Sequence, residues 1–325
     1  MSIPAEQLDR SPAASDPDTA DTLAERLRSQ YADRITGELV VPARPGQFAP
    51  LPAGLHPRLA TALADRGVTR LYTHQGAAWE SVQAGRHTVI VTPTASGKTL
   101  CYNLPVLQAV LEARAKALYL FPTKALAQDQ VAELLALNEA GELGVRAFTF
   151  DGDTPGDARK AVRTRGDIVV SNPDMLHQGI LPHHTKWAQF FEGLRYVVID
   201  EMHTYRGVFG SHVANVLRRL QRICRFYGAA PQFILCSATI ATPDELAGQL
   251  IGTGVEAITD SGAPQGSKHL LLWNPPVVNP DLGIRASARS QTTRIAKQAV
   301  KRGLKSIVFA RSRLMVEVLT KYMKD

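Results

Sequence analysis

Three short stretches carry residue types suited to phosphate chemistry. The first is TPTASGKT, Thr92 to Thr99, set between the apolar runs HTVIV and LCYNLPVL. Gly97 lets the backbone curl, so the N–H groups from Ala95 through Ser96 and Gly97 to Thr99 can point at phosphate oxygens, with Thr94 beside them in the nucleotide-binding loop. The helix that follows presents its positive end to the same place. Lys98 can reach the outer phosphates of a nucleotide, and the Thr99 hydroxyl can hold Mg²⁺. The usual phosphate-loop pattern is G-x-x-x-x-G-K-[ST], yet Thr92 stands where its first glycine belongs.

The second stretch is YVVIDEMH, where Asp200 and Glu201 end an apolar run. Two adjacent carboxylates at a strand end can divide the work. Asp200 can hold Mg²⁺ through its water shell, and Glu201 can orient and deprotonate an attacking water. The third is CSAT, with Ser237 and Thr239 after the next apolar run. Alone it reads equally well as a helix cap. Its place third in the series, after the loop and the acidic pair, is what gives it weight.

These residues need rigid elements to hold them. Short β-branched runs recur at HTVIVTP, ALYLFPT, RAFTFDGD, DIVVSNP, YVVIDE and QFILCSAT, with helical patterns such as KALAQDQVAELLAL between them. That alternation predicts an α/β fold, a mostly parallel sheet with helices on both faces. Ligands of such folds bind at the carboxyl ends of the strands, where all three stretches fall. After Asp260 a Gly/Ser/Pro linker and the Pro-rich WNPPVVNPDLG interrupt the alternation. A basic helix from about Arg285, a strand SIVFA and a helix from Arg313 are then expected.

The 325 residues carry a net charge of +7. Residues 285–325 hold eleven Lys/Arg against two Asp/Glu, or +9, which leaves −2 for the rest. A basic segment of this kind suits nucleic acid phosphates or a solvated helix face equally. Arg218, Arg219, Arg222 and Arg225 read as a solvated face on a long helix, and His183 and His184 as loop residues. The start of the chain, rich in Pro, Ser, Asp and Ala, predicts a disordered tail over residues 1–22 without signal-peptide features. No run approaches a membrane span, and no membrane partner is expected. Cys101, Cys224 and Cys236, widely spaced, suit packing roles in a reducing, cytoplasmic compartment.

In their order, the motifs resemble those of superfamily 2 DExH-box helicases. TPTASGKT matches motif I, PTKALAQDQ motif Ia, SNPDML motif Ib, DEMH motif II, SAT motif III and IVFARSR motif IV. The stretches RLYTHQ, DEMHTYRGVFGSHVANVLRRL and LLWNPP are similar to the YprA-like helicases, also called mitomycin repair factor A, and their fungal Hrq relatives. The resemblance implies a RecA-like P-loop NTPase domain over residues 71–262, after an accessory segment at 23–70. Residues 263–325 would be a linker and the incomplete start of a second RecA-like domain. It implies ATP as the nucleotide and DNA, single-stranded or as a tailed duplex, as the partner of a 3′ to 5′ repair-related motor. Gln75 would read the adenine edge with Tyr72 beside it. His203 would couple motif II to Ser237 and Thr239. Thr123, Lys124, Ser171 and Asn172 would touch the nucleic acid backbone. In this branch Thr92 and Ala95 replace the small residues usual in motif I.

The family completes its site with arginines from motifs V and VI, which lie past the last residue of this sequence. The resemblance therefore implies slow turnover by this chain alone and a separately encoded C-terminal half as partner. The alternatives are a non-catalytic remnant that binds ATP and nucleic acid, or another P-loop enzyme such as a small-molecule kinase. The latter leaves motifs Ia and III unexplained.

Overall fold

The computed structural model describes residues 19–324, so most of the expected tail lies outside the described residues. The chain divides into two compact units. Among the described residues, one comprises 46–264 and the other 19–45 with 265–324.

The first unit is built on seven parallel strands: β1 Thr88–Val91, β2 Lys116–Leu120, β3 Ala147–Thr149, β4 Ile168–Ser171, β5 Leu194–Ile199, β6 Gln232–Ser237 and β7 Glu256–Ile258. Their spatial order is β7-β1-β6-β5-β2-β4-β3. β1 and β4 are buried along their whole length. Strands covered on both faces must read as unbroken apolar runs, which is why the sequence shows them so plainly. Helices α1 Thr73–Gln83, α2 Lys98–Ala113, α3 Lys124–Ala140, α4 Gly156–Arg165, α5 Gly207–Phe226 and α6 Pro243–Ile251 connect the strands. Two hydrophobic clusters form, one around Tyr102, Tyr119 and Phe121, the other around Trp187, Phe190 and Phe233. This is the RecA-like arrangement expected from the motifs.

The chain runs from β1 past the positions of β6 and β5 to reach β2. Such a reversal opens a crevice at the strands' carboxyl ends. β6 lies between β1 and β5, with Val91 opposite Ser237 and Ile199 opposite Leu235. The phosphate loop, the Ser-Ala-Thr turn and the acidic pair therefore end side by side.

Several boundaries differ from the sequence reading. The helix Ala20–Gln30, capped by the Thr19 side chain, takes in the last residues of the expected tail. Residues 46–70 belong with the sheet unit: strand Phe48–Pro50 pairs with Arg70–Tyr72, and helix Pro57–Asp65 packs on the Tyr102 cluster. Residues 19–45 belong to the second unit, because Ile35–Val41 pairs antiparallel with Lys268–Trp273. That pairing joins segments more than 200 residues apart, and no local pattern announces it. In the same unit, SIVFA is not a strand. Residues 304–310 lack regular structure, and Ile307 and Phe309 are 80% and 89% exposed. With no strand beside it among the described residues, that segment has no ladder to join. The helices Ala288–Val300 and Arg313–Lys324 form as expected.

Candidate nucleotide site

The phosphate loop leaves β1 and enters α2 through Gly97, whose φ of +77° is left-handed. Ala95 is left-handed too, at φ +62°. Thr92 is not, so its position makes no demand for glycine. Instead its buried hydroxyl lies 2.6 Å from the buried Ser96 hydroxyl, bracing the loop across its base. Lys98 Nζ donates to the carbonyls of Thr92 and Pro93, both at 2.9 Å. The ammonium thus rests on the loop's own acceptors, where phosphate oxygens would compete for it.

Gln75, at the start of α1, is 3% exposed. Its Oε1 accepts from Tyr72 N–H at 2.9 Å, and its Nε2 donates to Gly97 O at 2.9 Å. A Cβ at position 97 would stand 2.7 Å from that Nε2. Gly97 therefore serves both a left-handed turn and a close approach. The Tyr72 ring stacks on His74 at 5.9 Å and leans on Phe48 at 5.4 Å.

Asp200 follows the last residue of β5. Its Oδ1 accepts from the Glu201 N–H at 2.7 Å, and the Tyr102 hydroxyl lies 3.1 Å from its Oδ2. Burial pushes the Asp200 carboxyl above the ordinary carboxylate range, and the two hydrogen bonds and Lys98 oppose that rise. Tyr102 also reaches Gln130 Oε1 on α3 at 2.8 Å. Neither Tyr102 nor Gln130 was singled out in the sequence. The signal was there: Tyr102 is four residues beyond Lys98, on the same face of α2.

Glu201 holds a left-handed backbone, φ +51°, which turns its side chain out of the strand direction. Its Oε2 lies 3.3 Å from His203 Nδ1. The same nitrogen lies 3.4 Å from both Ser237 Oγ and the Ala238 N–H. The structure therefore brings His203 and Ser237 together, while Thr239 is exposed. An N–H from Ala238 needs an unprotonated Nδ1, whereas the Glu201 carboxylate needs a protonated one.

The residues expected to touch nucleic acid are placed unevenly. β2 and β4 are neighbours with Leu120 opposite Ser171, so Thr123 and Asn172 follow adjacent strand ends. Thr123 caps α3, and Lys124 is exposed and ion-paired with Asp153. Asn172 Oδ1 caps the turn at Met175, 2.8 Å away. Ser171 differs from the expectation: its side chain is buried and donates to Phe150 O at 2.6 Å. That hydroxyl ties β4 to the chain beside it and presents no donor at the surface.

Donor chemistry at the loop fits Mg²⁺. A hydroxyl at a helix start and a carboxylate two strands away offer two hard oxygens and leave room for waters and phosphate oxygens. The cysteines are free and buried, and burial pushes the thiols of Cys101 and Cys224 up to about 12. Among the described residues no helix is long and apolar enough to cross a membrane.

The DEAD/DEAH box helicase pattern matches residues 72–246. The ATP-dependent helicase YprA of Bacillus subtilis is 54% identical over 87% of this chain and 38% of its own length. The ATP-dependent helicase hrq1 of Schizosaccharomyces pombe is 38% identical over 91% of this chain and 29% of its own. The chain thus spans about a third of the length of these curated relatives. A crystal structure of the helicase MrfA bound to DNA has a TM-score of 0.91 at 50% identity, covering 95% of this chain and 41% of that one. A second, of MrfA with DNA and AMPPNP, has a TM-score of 0.88 at 51% identity, over 92% and 42%. With its phosphate loop, acidic pair and Ser-Ala-Thr turn on three neighbouring strands, and the family pattern covering more than half its length, the chain belongs to the DEAD/DEAH box helicase family.

Proposed function

We infer that this chain is the nucleotide-binding part of an ATP-dependent DNA helicase that moves 3′ to 5′ in DNA repair. The observation that carries the reading is the convergence of Lys98, Asp200, Glu201, His203 and Ser237 at the ends of β1, β5 and β6. Backbone N–H groups from Thr94 to Thr99 cradle the phosphates, and Lys98 leaves the Thr92 and Pro93 carbonyls to neutralise the outer ones. Thr99 and Asp200 would hold Mg²⁺, which supplies positive charge against the phosphate oxygens. Gln75 and Tyr72 position the adenine.

Glu201 accepts a proton from the water that attacks the terminal phosphate, giving ADP and phosphate. His203, between Glu201 and the Ser237 turn, passes the change of charge toward the strand ends that hold nucleic acid. Thr123, Lys124 and Asn172 contact backbone phosphates there. An arginine finger is worth ~10³ to 10⁵ in rate, so turnover rests on arginines from a second RecA-like domain. That the DNA-bound helicase MrfA matches nearly all of this chain supports DNA as the track.

The test is ATPase activity with and without single-stranded DNA, alone and with an added protein carrying the relatives' C-terminal half. Glu201→Gln should bind ATP like the parent and lose hydrolysis. Turnover at the parent rate by that variant would remove Glu201 from the mechanism.

A further inference from the structure

Helix α5 flanks the sheet on the side opposite Tyr102 and leads from the strand ends that carry the site to the start of β6. Its buried stripe is Val213, Leu217, Leu220 and Cys224. Its outer stripe runs Asn215, Arg218, Arg222, Arg225 and Phe226, at the three- and four-residue spacing of one helix face. The helix holds four arginines and no acid. Arg218, Arg222 and Arg225 line one shallow cleft against the end of α6. Their one side-chain hydrogen bond among the described residues is Arg218 Nη1 to Asn215 Oδ1, 3.0 Å, and no carboxylate pairs with them. Solvation alone explains exposed arginines. It does not explain three in a cleft with no counter-charge.

A second observation points to the ligand. Phe226 is 76% exposed at the end of this stripe. Its aromatic neighbours Tyr227 and His184 both meet it edge to face, at 5.1 and 6.2 Å. No described side chain is stacked parallel on it. Along the helix the arginines are about 6 and 4.5 Å apart in rise. A row of cations ending in an open aromatic face is the combination that binds single-stranded nucleic acid, phosphates along the row and a base on the ring. A duplex hides its base faces. An acidic protein surface would satisfy the arginines and leave the ring unused.

We propose that the outer face of α5 is a second single-stranded DNA surface, with Arg218, Arg222 and Arg225 on phosphates and Phe226 stacking on a base. It is separate from Thr123, Lys124 and Asn172, and it guides the strand along the flank of the sheet.

The experiment is anisotropy of a labelled oligothymidylate with the full chain at several salt concentrations. The triple change Arg218→Gln, Arg222→Gln, Arg225→Gln should flatten the salt dependence by a slope of about 2, from roughly 0.7 per lost contact. Phe226→Ala should weaken binding about fivefold or more. Phe226→Trp should show fluorescence quenched by the oligonucleotide. All four side chains are on the surface, and unchanged binding of a fluorescent ATP analogue verifies the fold. Lys124→Gln should lose its own slope of about 0.7 independently. An unchanged slope in the triple variant, with only Lys124→Gln affected, would overturn the α5 surface and leave the motif-based reading standing. So would unquenched Phe226→Trp fluorescence with equal competition by polyglutamate, which marks a non-specific polyanion surface.

Discussion

The Tyr102 hydroxyl lies 3.1 Å from Oδ2 of Asp200, so the helix that begins at the phosphate loop also holds the half-buried carboxylate at the end of β5. Asp200 is costly where it stands, because burial raises its carboxyl above the ordinary range. A carboxyl whose folded pKa is raised binds its proton more tightly folded than unfolded. Its stability contribution is therefore fully present below the unfolded pKa and is lost as pH rises through the folded one. At neutral pH the charged form burdens the free protein. Asp200→Asn should raise the melting temperature at pH 7 and narrow the gap between acid and neutral stability, with about 2–4 °C for each ~1 kcal/mol relieved. The same variant should lose the Mg²⁺ dependence of nucleotide binding. Thermal melts at pH 4 to 8, with and without Mg²⁺ and nucleotide, check it. A lower melting temperature at pH 7 would mean that the hydrogen bonds outweigh burial.

Lys98 donates only to carbonyls of its own loop. Removing it should therefore cost little fold stability, about 0.5–1.5 kcal/mol per net hydrogen bond at most. Its loss should nevertheless abolish nucleotide binding, because no other described cation sits in the loop. Titration of a fluorescent ATP analogue against Lys98→Ala, beside a melt of the same protein, separates the two effects. Unchanged affinity in a folded variant would sink the phosphate-loop assignment.

The unusual first residue of the loop has a structural answer that can be tested. The left-handed backbone lies at Ala95 and Gly97, not at Thr92. A left-handed conformation costs an L-residue about 1–2 kcal/mol. Ala95→Gly should thus be neutral or stabilising by up to about 1 kcal/mol, after the entropy that glycine adds to the unfolded chain. Thr92→Gly, which would restore the common pattern, should destabilise by about 1–3 kcal/mol, because it leaves the buried Ser96 hydroxyl without its 2.6 Å partner. Chemical denaturation of both variants gives the two signs. A stabilised Thr92→Gly would refute the bracing role.

Six of the seven strands were legible in the sequence as β-branched or aromatic runs, five of them buried along most of their length and Ala147–Thr149 half-buried at the sheet edge. The seventh, Glu256–Ile258, has Ile258 as its one large apolar residue, so no run marks it. SIVFA misled for the converse reason: its residues have strand propensity, but a strand exists only beside another, and propensity does not report neighbours. Lys98, Asp200 and Glu201 could be placed beside strand ends from the sequence because each follows an apolar run at a fixed offset, whereas Gln75 entered only through the family resemblance. Tyr102 was not, since a tyrosine in an apolar helix reads as core until its hydroxyl is seen beside Asp200. Ser171 shows the limit of carrying a motif over by position. Its hydroxyl was expected at the surface, and the strand end turns it inward to Phe150.

Gln75 offers a test that separates a structural tie from base recognition. One of its amide N–H groups bonds Gly97 O, and one lone pair of Oε1 takes the Tyr72 N–H. An amide has two donors and two acceptor sites, so one of each is left. That remaining pair matches the N7 acceptor and N6 donor on the edge of adenine, which glutamine reads in nucleic acids by the same two atoms. Guanine presents two acceptors there and cannot complete the pair. Gln75→Glu keeps the acceptor for Tyr72 and loses both donors. It should weaken ATP binding by about 1–3 kcal/mol and GTP binding by less, so that the preference between them shrinks. Competition titrations with the two nucleotides, on parent and variant, read the ratio directly. If both affinities fall by the same factor, Gln75 acts only through Gly97 and Tyr72, and the adenine contact must come from the Tyr72 ring alone.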